Sequence, residues 1–386
     1  MTTSSTGMQF TFSIPTNIVF GLGALDAIGT HTKILGFKRP LIVTDKIMSQ
    51  GNGMKKMLAK LSEAGAEAVV WDEIAAEPVD TTLTEGVKRF RADRCDGLIG
   101  FGGGSPMDTA KGVGVLAVSG DDDPTPYQRG GTKTVPGCVP VITIPTTAGT
   151  GSEVTSVCVF TSQRTGHKLP IRHPSLLPKV AIVDPRLMLS MPPKVTMATG
   201  IDALSHASEC FTQVREHPFA DTLSLQAIKL IVENLPKAVK NGRDEEARSN
   251  MALAAVMAGT AFEVGGLQFH AYAQALGAKY HAPHGVTCGI ALRAGLRQIL
   301  PTATAKLARM AWAFGIDTRG LSQAQAAEKA VAAAITFISE MGIPTVTQAM
   351  HATPADIPML LKETLETTGV PIPREVAAAV WEEIFR

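Results

Sequence analysis

Residues 96–111 read DGLIGFGGGSPMDTAK, and the order of residue types in this stretch decides the architecture around it. An apolar run ends in Gly102, Gly103 and Gly104, and Ser105-Pro106 follows where a helix would begin. Glycine lets the backbone approach a ligand closely, proline suits the first turn of a helix, and free N–H groups at a helix start bind phosphate. The stretch predicts a strand, a tight turn and a helix, the turn either holding a diphosphate or simply joining the two elements. Its spacing is not the GxGxxG of the dinucleotide fingerprint, so the turn alone does not decide between these.

The flanking sequence repeats the alternation. PLIVTD (40–45), AEAVVWD (66–72), PVITIPTT (140–147) and KVAIVDP (179–185) are short, apolar and rich in β-branched residues, with helical patterns near 50–64 and 81–93. Such alternation predicts an α/β amino-terminal domain with a parallel, Rossmann-like sheet and crossover helices. A second turn, IPTTAGTGSEVT (144–155), again leaves a strand and carries Thr146, Thr147, Thr150 and Ser152. Their hydroxyls suit ribose and phosphate, although they are also common loop residues. Asp45 closes PLIVTD; a carboxylate there either accepts hydrogen bonds from an adenosine ribose, favouring NAD over NADP, or caps the next helix.

After MPP (191–193) the texture changes. DTLSLQAIKLIVENLPKAVKNG (221–242), RSNMALAAVMAGTAF (248–262) and AEKAVAAAITFISEMG (327–342) carry apolar residues at helical spacing, and no strand-like segment recurs. This predicts an α/β domain over 1–193 and an all-helical domain over 194–386. No long Pro/Gly/Ser linker separates them, so they are expected to meet in a cleft.

Bulk composition narrows the function. The 36 Lys plus Arg against 35 Asp plus Glu leave no basic footprint, which argues against nucleic acid or an anionic membrane as partner. MTTSSTGMQFTF lacks a signal-like pattern and no apolar run approaches a membrane span, so a cytoplasmic protein is expected. Cys95, Cys138, Cys158, Cys210 and Cys288 are dispersed without a CxxC pair, arguing for reduced buried thiols and against a disulfide frame or a thiolate zinc site.

GIDALSHASE (200–209) places Asp202 and His206 four residues apart, on one face of a helix. FHAYAQALGAKYHAPHG (269–285) repeats the spacing with His270 and Gln274, and His284 follows in a turn bounded by proline and glycine. A carboxylate with several imidazoles suits iron or zinc, with one position left open to substrate. Each residue also has a plainer reading: a helix-surface pair, a satisfied core histidine, a contact to a loop carbonyl.

Taken in order, FSIPTNIVFGLGAL (12–25), GGGSPMDTAK (102–111), PTTAGTGSEVT (145–155), GIDALSHASE and HGV (284–286) resemble the landmarks of the iron-containing, group III alcohol dehydrogenases, which include lactaldehyde reductases and related small-aldehyde reductases. The likeness runs from about residue 10 to 386. It implies a dehydroquinate synthase-like architecture, a nucleotide-binding domain followed by a helical metal-binding one. It also implies Asp202, His206, His270 and His284 as ligands of Fe2+ or Zn2+. Gly103, Gly104 and Ser105 would hold the diphosphate of NAD(H), with Thr146 and Thr147 lining the nucleotide site, Asp45 favouring NAD(H), and Lys168 and Leu187 as further cofactor contacts.

The implied reaction is hydride transfer between NAD(H) and a small aldehyde or alcohol whose carbonyl the metal polarises. Arg172 and His173 of IRHP (171–174) offer an anionic substrate as a variant. An NAD- and metal-containing lyase like the dehydroquinate synthases is the alternative, although its ligand pattern includes a glutamate where this chain offers Asp202. A homodimer or larger assembly is implied, with FTFSIPTNIVFG (10–21) as an edge strand that could pair with a second chain.

Two departures stand out. Many members carry a proton-relaying histidine where this chain has Gln274, and an amide cannot titrate near neutral pH. His281, or a metal-bound water with the cofactor ribose, would have to supply that path. In EPVDTT (77–82), Val79 stands where an asparagine is usual, removing one cofactor hydrogen bond.

Overall fold

The computed structural model describes residues 10–75, 77–213, 216–367 and 372–386. Eight strands are present among them: β1 (Asn17–Phe20), β2 (Pro40–Val43), β3 (Val69–Trp71), β4 (Gly97–Gly102), β5 (Val141–Pro145), β6 (Val157–Thr161), β7 (Lys168–Arg172) and β8 (Val180–Val183). Six form one sheet in the order β1-β8-β5-β4-β2-β3, parallel throughout. Every residue of β2, β4, β5 and β8 is buried, as a sheet covered on both faces requires.

Helices α1 (Ile28–Leu35), α2 (Lys46–Ser49), α3 (Asn52–Glu63), α4 (Asp80–Ala92) and α5 (Gly104–Ser119) accompany this sheet. Side chains alternate along the strands: Ile42, Ile99, Phe101 and Ile142 meet Met54, Met57 and Leu61 of α3, while Leu41, Val43, Leu98 and Val141 meet Leu83 and Val87 of α4 and Val113 and Leu116 of α5. The chain therefore leaves β2 over one face and returns to its neighbour β4 over the other. Where connections part in this way, a crevice opens at the carboxyl ends of the strands, the usual ligand position in open α/β sheets.

The rest is helical: α6 (Pro193–Phe211), α7 (Pro218–Lys240), α8 (Glu245–Val264), α9 (His270–Tyr280), α10 (His284–Ile299), α11 (Thr304–Met310), α12 (Gln323–Glu340), α13 (Val346–Met350), α14 (Ile357–Thr367) and α15 (Arg374–Ile384). From Gly200 to Phe211 every residue of α6 is buried, so it is the central helix of this domain. Among the described residues no helix is long and apolar enough to cross a membrane.

Two elements differ from expectation. β6 and β7 form an antiparallel hairpin outside the main sheet, with Val157 opposite Arg172 and Thr161 opposite Lys168. Its second strand contains Pro170, a residue that hides a strand from a propensity reading. The FTFSIPTNIVFG segment is strand only at Asn17–Phe20, where it forms one edge of the sheet beside β8; Phe10 and Phe12 instead pack their rings against His217 and Phe219.

The two halves share apolar packing. The helical core continues through Ala148, Val154, Ala181, Val183, Met188 and Met191 of the α/β half. Contact is close enough to demand glycine once at this seam, and once more within the helical half. A Cβ on Gly151, whose φ is +65°, would stand 2.5 Å from the Cα of Gly259 in α8, and one on Gly285 would stand 1.9 Å from the carbonyl oxygen of Ala198 in α6. The turn after β5 is thereby pressed against α8, and the start of α10 against α6.

A buried polar latch fixes that turn from the other side. Lys111 of α5, fully buried, donates through Nζ to the carbonyl oxygen of Ser152 at 2.6 Å, to Ser152 Oγ at 2.9 Å and to the carbonyl oxygen of Val157 at 3.0 Å. Asp108 accepts from Ser152 Oγ at 2.5 Å and from the Val159 N–H at 2.9 Å, and lies 3.8 Å from Lys111 Nζ. Burial pulls the Lys111 ammonium pKa down and pushes the Asp108 carboxyl up, each opposed by the other's charge. Substituting Lys111→Met removes the cation and leaves Asp108 buried without it. The expected loss is roughly 3–5 kcal/mol of stability, read as a lower urea midpoint; an unchanged midpoint would show that the pair is not holding the turn.

Candidate active site

Asp202, His206 and Glu209 fall at i, i+4 and i+7 along α6, so they share one face of a buried helix. His270 opens α9 and His284 opens α10, so two helix starts deliver imidazoles to that face. The Asp202 Oδ1 atom lies 3.3 Å from His270 Nε2, 3.7 Å from His284 Nε2 and 3.8 Å from His206 Nε2. The His206 and His270 rings stack with centroids 4.5 Å apart, and His284 meets His270 edge-on at 5.5 Å.

These separations carry chemical information. Ligands held about 2.1 Å from one ion at tetrahedral angles stand roughly 3.4 Å apart. The oxygen-to-nitrogen distances around Asp202 match that spacing. The donor set, a carboxylate with imidazoles, is that of iron and zinc sites, so the residues present fit a divalent metal. Asp202 and His270 are buried, whereas the His284 side chain is 34% exposed and forms the site's opening.

Electrostatics prepare the donors. Burial alone would raise the Asp202 pKa, but the imidazoles of His206, His284 and His270 hold its carboxyl well below the usual range. Burial depresses His206, against the pull of Asp202, and depresses His284 to about 3. Both shifts favour the neutral ring, whose lone pair is available to a cation, whereas His270, against the effect of burial, is held protonated well above its ordinary range by Cys288, Glu209 and its hydrogen bond to Asp202.

Glu209 had no role in the sequence reading beyond its place in GIDALSHASE. Its Oε2 accepts from the N–H groups of Phe269 at 2.6 Å and His270 at 3.1 Å, and its Oε1 lies 2.5 Å from His270 Nδ1. A buried carboxylate on the outer ring nitrogen fixes tautomer and orientation, so that Nε2 faces Asp202. The seven-residue spacing from Asp202 was the available signal. Cys288 was also missed: its Sγ sits 3.5 Å from Asp202 Oδ1, and Asp202, His270, His284 and Cys288 form a compact four-donor group. Dispersed spacing argued against a thiolate site, but the partners of Cys288 are imidazoles and a carboxylate, which a CxxC search cannot find.

At the sheet, Gly103 caps α5, a Cβ on it would lie 3.6 Å from Thr147, and one on Gly104 would lie 2.9 Å from Thr150. The Thr146 N–H donates to the Gly102 carbonyl at 2.9 Å, so the two turns form one surface, with Ser105 in the first turn of α5. Asp45 caps α2 through Oδ1, accepting from Ile47 and Met48 N–H groups at 2.8 and 2.9 Å, while Oδ2 lies beside Gly102. Its cap role is therefore real, and its second oxygen borders the crevice. Lys168 pairs with Glu77 at 3.1 Å and is near enough to contribute to the low pKa of His284. Leu187, in the turn after β8, packs over Gly53 of α3. Val79 precedes α4, its N–H donating to Thr82 Oγ1 at 3.4 Å.

Other candidates lie further out. Gln274 is half-buried, one turn after His270 on α9. His281 is exposed and closes α9 in the left-handed conformation, φ +52°. Arg172 donates to the Glu263 carbonyl at the end of α8 at 2.7 Å and lies over the Phe262 ring, which in turn stacks on His206. His173 accepts from the Ser175 N–H and caps a short 3-10 turn.

Replacing Glu209 by Gln keeps the volume but loses the anion that orients His270. Metal affinity is expected to fall about 10–100-fold, measured by competition with a chromophoric chelator; unchanged affinity would remove Glu209 from the site.

The sequence matches two family signatures end to end: iron-containing alcohol dehydrogenase over residues 15–185, and the carboxy-terminal part of the same family over residues 196–386. It is 40% identical over 357 residues to an NAD-dependent methanol dehydrogenase of Bacillus methanolicus, covering 92% of this chain and 93% of that one. It is 38% identical over 383 residues to a 1,3-propanediol dehydrogenase of Citrobacter freundii, covering 98% of each. The crystal structure of a 1,3-propanediol oxidoreductase superposes with a TM-score of 0.91 at 35% identity, over 98% of this chain and all of that one. With this fold and this cluster of carboxylate and imidazoles, the chain belongs to the iron-containing alcohol dehydrogenase family and is a metal-dependent oxidoreductase of the alcohol–aldehyde pair.

Proposed function

We propose that the protein interconverts a small neutral alcohol and its aldehyde or ketone with NAD(H), at a divalent ion held by the cluster around Asp202. The observation that carries this reading is the set of three imidazole nitrogens at 3.3–3.8 Å from one buried carboxylate oxygen, beside the opening at His284. Similarity to the NAD-dependent methanol dehydrogenase of Bacillus methanolicus supports NAD. When bound, the ion supplies Lewis acidity toward a substrate oxygen and the nicotinamide supplies or accepts the hydride.

The chain's own residues do the rest. Asp202 and the imidazoles of His206, His270 and His284 hold the ion, iron in the family's name, and Glu209 keeps His270 turned inward. The amide groups at Gly103, Gly104 and Ser105 take the diphosphate at the start of α5, with Gly102 giving the close approach. Thr146, Thr147 and Thr150 line the nucleotide on the adjoining turn, and Lys168 and Leu187 border it. Asp45 Oδ2 receives the adenosine ribose hydroxyls and repels a 2′-phosphate. Gln274 orients the substrate oxygen through its amide without exchanging a proton, and the proton reaches solvent by way of His281 at the exposed end of α9.

The family match favours hydride transfer over lyase chemistry. We place the domain boundary at residue 193, where α6 begins. A cytoplasmic homodimer built on the exposed edge of β1 is the assembly that the unpaired cysteines and the free sheet edge support.

Two measurements test this. NADH consumption with a panel of small aldehydes is expected to vanish on metal removal and return on anaerobic reloading with Fe2+ or Zn2+; turnover unaffected by stripping would refute the metal role. Asp45→Ser keeps a cap acceptor while deleting the charge. It is expected to raise the NADPH to NADH ratio of kcat/KM by about tenfold, equivalent to about 1.4 kcal/mol, with thermal stability nearly unchanged. An unaltered ratio would return Asp45 to capping alone.

A further inference from the structure

We propose that Phe262 is a positioning residue for His206, fixing the plane of that imidazole from a seat that Arg172 and Glu263 hold in place. The inference rests on the reading that a divalent ion binds at this cluster with His206 among its ligands.

The need for such a residue arises from how the two stacked imidazoles are held. The last torsion of a histidine side chain has broad, weakly favoured wells, so a ring at a metal needs an outside constraint. For His270 that constraint is Glu209, whose Oε1 meets Nδ1. The Nδ1 atom of His206 is buried and makes no hydrogen bond; the Gly149 carbonyl lies beside the ring without the alignment of one. The His206 ring has near-parallel neighbours instead: His270, with centroids 4.5 Å apart and planes at 15°, and Phe262, at 5.5 Å and 2°. Gap-filling would be served by any apolar side chain, whereas a ring within 2° of the imidazole plane constrains its rotation.

Phe262 is itself seated from the other half of the molecule. The Arg172 guanidinium, at the end of β7, lies over its ring at 5.7 Å from the centroid. That guanidinium donates to the Glu263 carbonyl at 2.7 Å and stands 3.6 Å from the Glu263 carboxylate. The carboxylate in turn accepts from the N–H of buried Ser156 at 2.8 Å and from its hydroxyl. Ser156 immediately precedes β6, and Val157 is the register partner of Arg172. The base of the β6–β7 hairpin thus clasps the last turn of α8 on both strands, and Phe262 sits within that clasp.

The test is an anaerobic Co2+ titration of the metal-free, full-length protein and of its Phe262→Leu, Phe262→Tyr and Arg172→Met variants. Affinity is read by competition with a chelator, and coordination geometry by the visible bands of bound cobalt. Phe262→Leu is expected to bind about tenfold more weakly with altered bands, while Phe262→Tyr, which keeps the ring, stays near wild type on both. Removing a nearby cation by itself strengthens binding of a metal ion, whereas loosening the ring weakens it. Arg172→Met is therefore expected to bind cobalt about threefold more weakly. Wild-type affinity and bands in Phe262→Leu, or equal losses in the Leu and Tyr variants, overturn the inference while leaving the metal centre intact. A changed KM for the alcohol with unchanged cobalt binding does the same, making Phe262 a wall of the substrate space. Failure of the wild-type protein to take up cobalt overturns the metal reading as well. Where Phe262→Leu does not fold, Arg172→Met decides, since unchanged or tighter binding there overturns the proposal.

Discussion

A carboxylate on the fully buried face of α6 is the constraint around which this protein is built. An ionised group withdrawn from water is expensive unless opposite charge or strong hydrogen-bond donors surround it. Among the described residues the groups that hold Asp202 ionised are imidazoles, of which burial keeps His206 and His284 neutral while His270 is held protonated well above its ordinary range. A divalent ion bound in place of that proton would be the stronger counter-charge. Glu209 then follows from the same requirement, because an imidazole at the metal needs its outer nitrogen held, and both its backbone and ring contacts go to the first residues of α9.

The demand propagates to the whole fold. The imidazoles come from the starts of two helices, so α9 and α10 must be seated against α6 to better than a side-chain diameter, and Gly285 against Ala198 shows how closely. The turn after β5 is seated by a parallel device, Gly151 against Gly259 on one side and the Lys111–Asp108 latch on the other. The cluster around Asp202 and this turn are thus both fixed by contacts that tolerate no added carbon. A hinge at this seam would have to break the apolar core that runs through it, which argues for a preformed site rather than one assembled by closure.

Much of this was legible beforehand, for identifiable reasons. Buried parallel strands such as LIGFG and VITIP are apolar at every position, and α6, α7, α8 and α12 announce themselves by period. Asp202 and His206 share a helix, and their relation could be read from spacing. Convergence of three separate elements could not: nothing local says that His270, His284 and Cys288 meet Asp202, and although residue type offered the first two as candidates, likeness to known sequences was needed to bring them together. The β6–β7 hairpin was hidden by Pro170, and Asp45 was ambiguous because a helix cap and a ribose acceptor occupy the same place in the chain. Glu209 was overlooked because the search was for ligands, whereas its partner is a ligand's far side.

The choice of substrate charge can be argued from what the positive groups are already doing. Arg172 is engaged by the Glu263 carbonyl in the last turn of α8, by the Glu263 carboxylate at 3.6 Å and by the face of Phe262, a position that satisfies a helix end and needs no further anion. Lys168 faces Glu77, and His173 caps its own turn. At residue 274, one turn after His270 on α9, the chain offers a neutral amide. An anionic substrate would have to detach one of these cations from an existing partner, whereas a neutral alcohol needs only one polar contact and the metal. The economy of that arrangement favours a small neutral substrate, and it explains how a chain without a titrating group at 274 remains suited to the family's chemistry: activation is assigned to the cation that Asp202 requires, leaving the side chains to position rather than to ionise.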